Sequence, residues 1–363
     1  MKGKLRKLLF TIAGLAALLP SIAYAHEAYV LPKNFFWQAI KGPLNTEAFS
    51  ALTNKHDLLL TLTITGWVLL FILLNFLFRL TKIGSKAHKA IERLAPIGPL
   101  FVRVAIAGAF FFGAKSGSFL GPELSISDLP LAHIMQWAIY LISFMILFGI
   151  FTEAAAAIGL IVFTAGFTVF GAYLITYMNY LGELIVLLLF GTRKWSLDKL
   201  LFGKLQNWRR KWEPYETTII RVFYGVALIY AGITVKLLHA DLTLRVISDW
   251  HLTNFHWLFP SDPLLIVLGA GIAEAVIGLF IAIGFELRMT VLISLFFISL
   301  SLLYFKELVW PHILLYGISL NLILQPEIFT LDHILFKRQR RLKSVWRRLT
   351  SSHREIGATD GHR

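Results

Sequence analysis

The sequence predicts an all-α integral membrane protein with nine transmembrane helices after a signal peptide. We expect these helices to form two parallel four-helix bundles plus one extra N-terminal span. Hydrophobic residues make up 57% of the 363-residue chain and charged residues only 15%. Several apolar runs approach the ~20 residues that a helix needs to cross a bilayer, and no run alternates as the strands of a membrane barrel do. An internal repeat sets the arrangement of the helices.

The first 25 residues have the pattern of a signal peptide. A basic stretch precedes an apolar run at 8–22, which is short for a span. Ala23 and Ala25 then give the small-x-small pattern of a cleavage site. We therefore expect a mature chain that begins at His26. The alternative is that the segment stays attached as an anchor helix.

Nine apolar segments follow the leader, and each is read as a span. They cover residues 57–78, 98–120, 131–151, 154–171, 173–190, 217–238, 263–284, 289–305 and 311–324. The chain divides into a signal peptide (1–25), a periplasmic segment (26–56), a first transmembrane helix (57–79), a cytoplasmic loop (80–97), a first four-helix block (98–191), a basic cytoplasmic linker (192–216), a second four-helix block (217–325) and a basic cytoplasmic tail (326–363).

The basic residues are distributed asymmetrically between the loops. They concentrate in 80–97, 192–216 and 326–363, whereas the loop at 119–130 has none and the loop at 239–262 has only Arg245. Because cytoplasmic loops of membrane proteins are rich in lysine and arginine, this predicts a multi-pass protein of a bacterial-type inner membrane. Its mature N-terminus would be periplasmic and its C-terminus cytoplasmic. The net charge of +14 then reflects topology and contact with the lipid bilayer, not nucleic-acid binding.

The two blocks begin with similar segments. FVRVAIAGAFFFGAKSG in the first block aligns with IIRVFYGVALIYAGITV in the second, which places Arg103 on Arg221. Both blocks enter the membrane from the same side, so the repeats are parallel and not inverted. Glycines of the second block recur at helical spacing, and we expect them to let helices approach closely. These glycines are Gly225, Gly232, Gly271 and Gly278.

One stretch of the second block, GAGIAEAVIGLFIAIGFELRMT at 269–290, resembles the central signature of the DoxX family. Gly271, Glu274, Gly278, Gly284 and Arg288 occupy the positions of that signature. The resemblance covers 219–325 well. The first block resembles a diverged copy of the second.

The resemblance implies a four-helix inner-membrane fold and favours one function. The best-known relatives are subunits of a thiosulfate:quinone oxidoreductase. This chain would accordingly be a membrane subunit that supports a quinone-linked redox system, with quinone as the cofactor and a redox partner subunit. The alternative is a transporter of small solutes or metal ions that is built from two repeats. Enzymatic activity of the chain itself stays undecided.

Ionisable and amide side chains inside apolar spans are candidates for a buried site, because an unpaired charge in lipid is unfavourable. Glu274 lies near the middle of its span, and a pair with Arg221 would satisfy both charges, as would a pair of Arg221 with Glu286. The other interpretation is an ion pair that only holds helices together. The full set of candidates is Glu274, Arg221, Arg288, Glu286, Arg103, Glu153, Asn179 and Glu183.

Metal chemistry is a further hypothesis. A free α-amine and imidazole at His26 would chelate one copper ion, with another histidine completing the site. The candidates are His26, His56, His239, His251 and His256. Their spacing does not resemble a tight metal motif, and the chain has no cysteine, which excludes disulfides, iron–sulfur clusters and thiolate ligands. The segment 26–56 is alternatively a lid that packs Phe35, Phe36 and Trp37 on the mouth of the bundle.

Overall fold

The structure is a computed structural model that describes residues 27–191, 196–198, 214–254, 261–326 and 328–335. Within these ranges the protein is helical and has no β-strand. Six helices are long and apolar enough to cross a membrane, and two shorter apolar helices accompany them. The predicted signal peptide, most of the predicted basic linker and most of the predicted basic tail lie outside the described residues.

The helices are numbered here in chain order. They are α1 (Glu27–Val30), α2 (Lys33–Lys41), α3 (Lys55–Leu80), α4 (Lys82–Glu92), α5 (Gly98–Lys115), α6 (Ala132–Phe148), α7 (Thr152–Phe170), α8 (Met178–Phe190), α9 (Glu216–Tyr230), α10 (Ala240–Asp249), α11 (Pro263–Ile283), α12 (Leu287–Tyr304) and α13 (Val309–Leu324).

Eight of the apolar helices contact one another in a closed ring, and α3 lies outside it. The ring runs in the order α5, α6, α7, α8, α9, α11, α12 and α13, and α13 returns to α5. The starts of α5 and α9 lie together with the ends of α8 and α13 around one cavity. We call this end of the ring the arginine end, after Arg103 and Arg221. The opposite end, which carries His239 and His312, is the histidine end.

The apolar stretch from Thr152 to Phe190 contains two packed helices, at the boundary where the sequence indicated two spans. Gly171 has a φ of 60° and opens a 3-10 turn that ends at Tyr177. Helices α7 and α8 then lie side by side: a Cβ on Gly159 would come within 2.6 Å of the Leu184 side chain. The chain therefore reverses at this turn.

Other helix bounds differ from the predicted spans at segments where polar residues or turns intervene. The span at 217–238 is α9 followed by a π-helical turn, Ala231–Leu237. The predicted loops at 80–97 and 239–262 contain the amphipathic helices α4 and α10, whose charged residues hid them from a search for apolar runs.

The predicted role of the second block's glycines is confirmed. A Cβ on Gly225 would lie 2.4 Å from the carbonyl oxygen of Gly278, and a Cβ on Gly232 would lie 2.6 Å from that of Gly271. Helices α9 and α11 thus touch backbone to backbone at two heights. Only a residue without a side chain permits this approach.

The segment before α3 covers the histidine end of the ring, as the lid hypothesis predicted. Phe36 is fully buried, and Trp37 stacks on Phe170 with ring centroids 5.9 Å apart. The hydroxyls of Tyr29 and Tyr177 are 3.2 Å apart. Burial and the nearby Glu123 raise the pKa of Tyr29 well above its usual value, so its phenol stays protonated at neutral pH.

Candidate functional site

A cavity of about 220 Å³ lies inside the ring at the arginine end. Its walls come from α5 and α8 of the first block and from α9 and α13 of the second. Most of the lining is apolar, and the main apolar contributors are Leu100, Val102, Ile106, Val186, Leu187 and Ile220. The cavity therefore lies where the two blocks meet.

Close helix packing on both flanks frames this cavity. Gly182 of α8 lies against Phe223 of α9, where a Cβ would come within 2.6 Å of the phenylalanine side chain. On the other flank, a Cβ on Gly317 of α13 would come within 2.3 Å of Ala105 of α5. The blocks are thus in contact on either side, and the space between them is bounded by packed helices.

Three ionisable side chains from three helices line the cavity. Arg103 comes from α5, Glu183 from α8 and Glu216 from α9. The side chains of Arg103 and Glu183 are buried, at 8% and 3% exposure. The structure therefore brings together two of the candidates that the sequence had selected from separate helices.

Glu183 is the polar group whose environment most strongly indicates a ligand. Its Oε1 is buried and has no hydrogen-bond partner among the described residues. Asn179, one helical turn earlier, is buried on the same helix, which agrees with the predicted polar face. A buried carboxyl without a partner lowers stability, so a protein keeps one mainly where it serves a function.

The floor of the cavity consists of amides and prolines. Gln325 donates from Nε2 to the carbonyl oxygen of Ala95 at 3.0 Å and to Oδ1 of Asn321 at 3.2 Å. The prolines at 96, 99 and 326 also line it. Proline has no backbone N–H, so this floor exposes few backbone donors to the cavity.

The expected pairing of Arg221 with Glu274 or Glu286 is wrong. Glu274 instead lies 3.5 Å from Nζ of Lys236, which the π-helical turn presents to it. Arg221 donates to the carbonyl oxygen of Phe329 at 3.0 Å. Glu274 and Arg221 are both outside the lining of the central cavity.

Glu286 and Arg288 attach the helices outside the ring, α3 and α4, to the ring. Arg79, at the end of α3, lies 3.3 Å from Glu286 and 2.7 Å from Asp332. Asn75 also donates to Glu286. Arg288 donates to the carbonyl oxygens of Ile323 and Gln325, and it lies 3.3 Å from Glu92 of α4.

Arg79 and Asp332 were not selected from the sequence, because both lie at the edges of predicted elements. One signal was available for Asp332. It follows Gly284 by nearly the same interval that separates Asp198 from Gly149 in the first block. Asp198 accepts from the backbone N–H groups of Phe151 and Thr152, and neighbouring Glu153 lies at the same turn, away from the cavity.

The predicted metal ligands are dispersed where they are described. His56 is exposed beside Asp57, His251 is exposed in a turn, and His239 is buried. Within the described ranges, no three side chains among histidine, aspartate and glutamate form a group that suits a metal ion. His26 and His256 lie outside these ranges.

Comparison with known proteins gives no relative. No protein-family model matches the chain, and neither curated proteins nor solved structures give a match.

The central cavity suits a small ring-shaped ligand with polar substituents. An apolar cavity of ~150 Å³ holds a benzene molecule, so this larger space admits one substituted ring. Arg103 and the amide of Asn321 offer donors, while Glu183 offers an acceptor or, when protonated, a donor.

Proposed function

We propose that this chain is a DoxX-like multi-pass protein of a bacterial-type inner membrane that binds a quinone head group in the central cavity. In this proposal the nine apolar helices all span the bilayer, and the two four-helix blocks are parallel repeats that each contribute four helices to the ring. Quinone reduction needs two electrons and two protons. A partner subunit would supply the electrons, because this chain lacks cysteine and the redox groups that cysteine holds.

The observation that carries the proposal is the buried carboxyl of Glu183 in a ring-sized, mostly apolar cavity. Arg103 lies on the same cavity and supplies a cation that stabilises negative charge on a reduced ring. Because prolines form part of the floor, few backbone N–H groups are available there to bind a strongly charged anion. Together these features favour an uncharged ring with two carbonyl oxygens over a strongly charged ligand.

The test uses Glu183→Leu, because it separates function from stability. Removal of an unpaired buried carboxyl should raise the thermal unfolding midpoint. The same change should weaken binding of 2,3-dimethoxy-5-methyl-1,4-benzoquinone about tenfold, measured by isothermal titration calorimetry on protein in nanodiscs. Glu153→Leu, in the same block but outside the cavity, is the matched control and should leave affinity unchanged. Unchanged affinity in Glu183→Leu contradicts the proposal.

A transporter is the second candidate function. The position of the cavity between two parallel repeats favours it, because repeat-built transporters place their substrates at the repeat interface. Reconstituted vesicles distinguish the two functions. Substrate-driven uptake that Glu183→Leu abolishes, without any quinone binding, would favour transport.

The proposed orientation has its own test. Reporter tags at Lys199 and at the C-terminus should be cytoplasmic, and a tag at Asp249 should be periplasmic. Mass analysis of the mature N-terminus should give His26. An intact Met1 would exclude the copper chelate, which needs the free amine of His26.

A further inference from the structure

A second cavity, of about 320 Å³, lies at the histidine end and shares no lining residue with the central cavity. One wall is α2 of the N-terminal segment. The second wall is the turn between α7 and α8. The third wall is the end of α9 with its π-helical turn, as far as His239. This outer cavity is open on one side, and it exists only because the N-terminal segment supplies one of its walls.

Aromatic rings form much of the outer cavity's surface. Trp37 and Phe170 are stacked with an interplanar angle of 22°, and Tyr173 meets Trp37 edge-on at 5.3 Å. The hydroxyl of Tyr173 donates to Oε1 of Glu123 at 2.8 Å, so this proton is already engaged elsewhere. Tyr173 therefore contributes its ring to the cavity. Flat aromatic walls favour a planar ligand, which stacks on them or meets them edge-on.

His239 supplies a fixed hydrogen-bond acceptor at this cavity. Its Nδ1 lies 2.7 Å from the carbonyl oxygen of Thr234, and a carbonyl only accepts, so Nδ1 carries the proton. In the neutral ring Nε2 is then an acceptor, and no hydrogen bond to it occurs among the described residues. The residue is 4% exposed. Its backbone is held by Asn45, which bonds to the peptide groups on either side of it.

We propose that the outer cavity binds a planar aromatic alcohol. Its hydroxyl donates to Nε2 of His239, and its ring packs against Trp37 and Phe170. A donor is required because the imidazole presents a lone pair. Lys41 lies 5.6 Å from the Trp37 ring at the rim, where its charge favours electron-rich rings over cations. The aromatic hydroxyl can arrive from water or from the bilayer.

The test compares two probes with the same ring system, one with a hydroxyl donor and one in which that oxygen is methylated. 2-Naphthol has the hydroxyl, and 2-methoxynaphthalene has the same ring without it. Calorimetry on the full chain in nanodiscs should show about tenfold tighter binding of 2-naphthol. His239→Phe should remove that preference and leave 2-methoxynaphthalene binding unchanged. His133→Phe is the matched control, because His133 is an exposed histidine beside Trp137 and outside the cavity lining.

A second variant keeps the test decisive if His239→Phe does not fold. Ala172 is exposed and lines the cavity, so Ala172→Trp should fill the space and abolish binding of both probes. If 4-dodecylphenol within the nanodisc displaces 2-naphthol, the ligand comes from the bilayer. If phenol displaces it and 4-dodecylphenol does not, the ligand comes from water. Equal affinities for the two naphthalenes, or 2-naphthol binding that survives Ala172→Trp, would overturn the proposal.

Discussion

The first helix pair of each block meets at equivalent positions, but the chemistry of the contact differs. In the second block, Gly225 touches Gly278, and Gly232 touches Gly271. In the first block, the residues at these positions are Ala107 with Ser143, and Ala114 with Gln136. There the Ser143 hydroxyl donates to the Ala107 carbonyl at 2.7 Å, and the Gln136 amide donates to the Ala114 carbonyl at 2.8 Å.

This difference shows how one helix arrangement persists while its sequence signature disappears. Glycine pairs gain van der Waals contact between backbones, whereas a side-chain donor bridges a wider gap to a carbonyl. Each solution fixes the two helices at two heights. A search for glycine spacing therefore identifies the second block and overlooks the first.

The turns at the arginine end show the same geometry with different attachments. Gly149 and Gly284 have φ values of 67° and 69°, and Phe151 and Glu286 both have a φ of 45°. Phe151 is 56% exposed, whereas Glu286 is 3% exposed and pairs with Arg79. Glu286 thus stands where the first block has Phe151, and its carboxylate attaches α3 to the second block.

The largest expected effect comes from Asp332→Ala. Asp332 accepts from the backbone N–H groups of Glu286 and Leu287 and also pairs with buried Arg79. Loss of one partner of a buried ion pair destabilises a protein by about 3–5 kcal/mol. We expect a large drop in the thermal unfolding midpoint, and tryptophan fluorescence during heating measures it.

Asp198→Ala is the matched change in the first block. Asp198 makes the same backbone contacts but is not described with an arginine partner, so the loss should be that of a helix cap, about 1–2 kcal/mol. Equal losses in the two variants would show that the ion pair with Arg79 adds nothing to the turn.

Gly278→Ala should have the next largest effect. The new Cβ would lie 2.7 Å from the carbonyl oxygen of Gly225, and a backbone atom cannot rotate away. Such overpacking destabilises by about 1–3 kcal/mol. Gly269→Ala, on the same helix with open space around its Cβ position, should not lower the unfolding midpoint, because alanine favours a helix over glycine. A harmless Gly278→Ala would disprove the backbone contact between α9 and α11.

Ser143→Ala should have the smallest effect. It removes one hydrogen bond between helices, and such bonds inside membrane proteins contribute about 0.6 kcal/mol on average. Thr164→Ala is the control, because its exposed hydroxyl bonds within its own helix. A Ser143→Ala loss as large as that of Gly278→Ala would mean that the two blocks depend equally on their first helix pair.

The apolar runs predicted the helices well, because hydrophobic length is set by the bilayer and needs no knowledge of neighbours. The predicted boundary between the spans at 154–171 and 173–190 falls inside the 3-10 turn Gly171–Tyr177, and the second helix begins five residues later than the predicted span because of that turn. The amphipathic helix α4 was overlooked because its many charged residues led us to read residues 80–97 as a loop.

The candidate site was only partly predictable, because it depends on which faces meet. Arg103 and Glu183 were selected as buried charges, and the structure places both on one cavity. The partner of Glu274 was missed, since the π-helical turn rotates Lys236 relative to an ideal helix. The value of His239 as an acceptor depends on a backbone carbonyl, which no sequence pattern reveals.

The lid at the histidine end also has a consequence for the order of assembly. Asn45 bonds to the backbone at Leu238 and Ala240, and the ring of Tyr29 meets that of His312. Because the ribosome makes the chain from its N-terminus, these early residues are synthesised long before the helices that they contact. Such long-range closures come late in folding. A nascent chain arrested before α13 would contain every residue of the lid but would lack His312, which Tyr29 contacts.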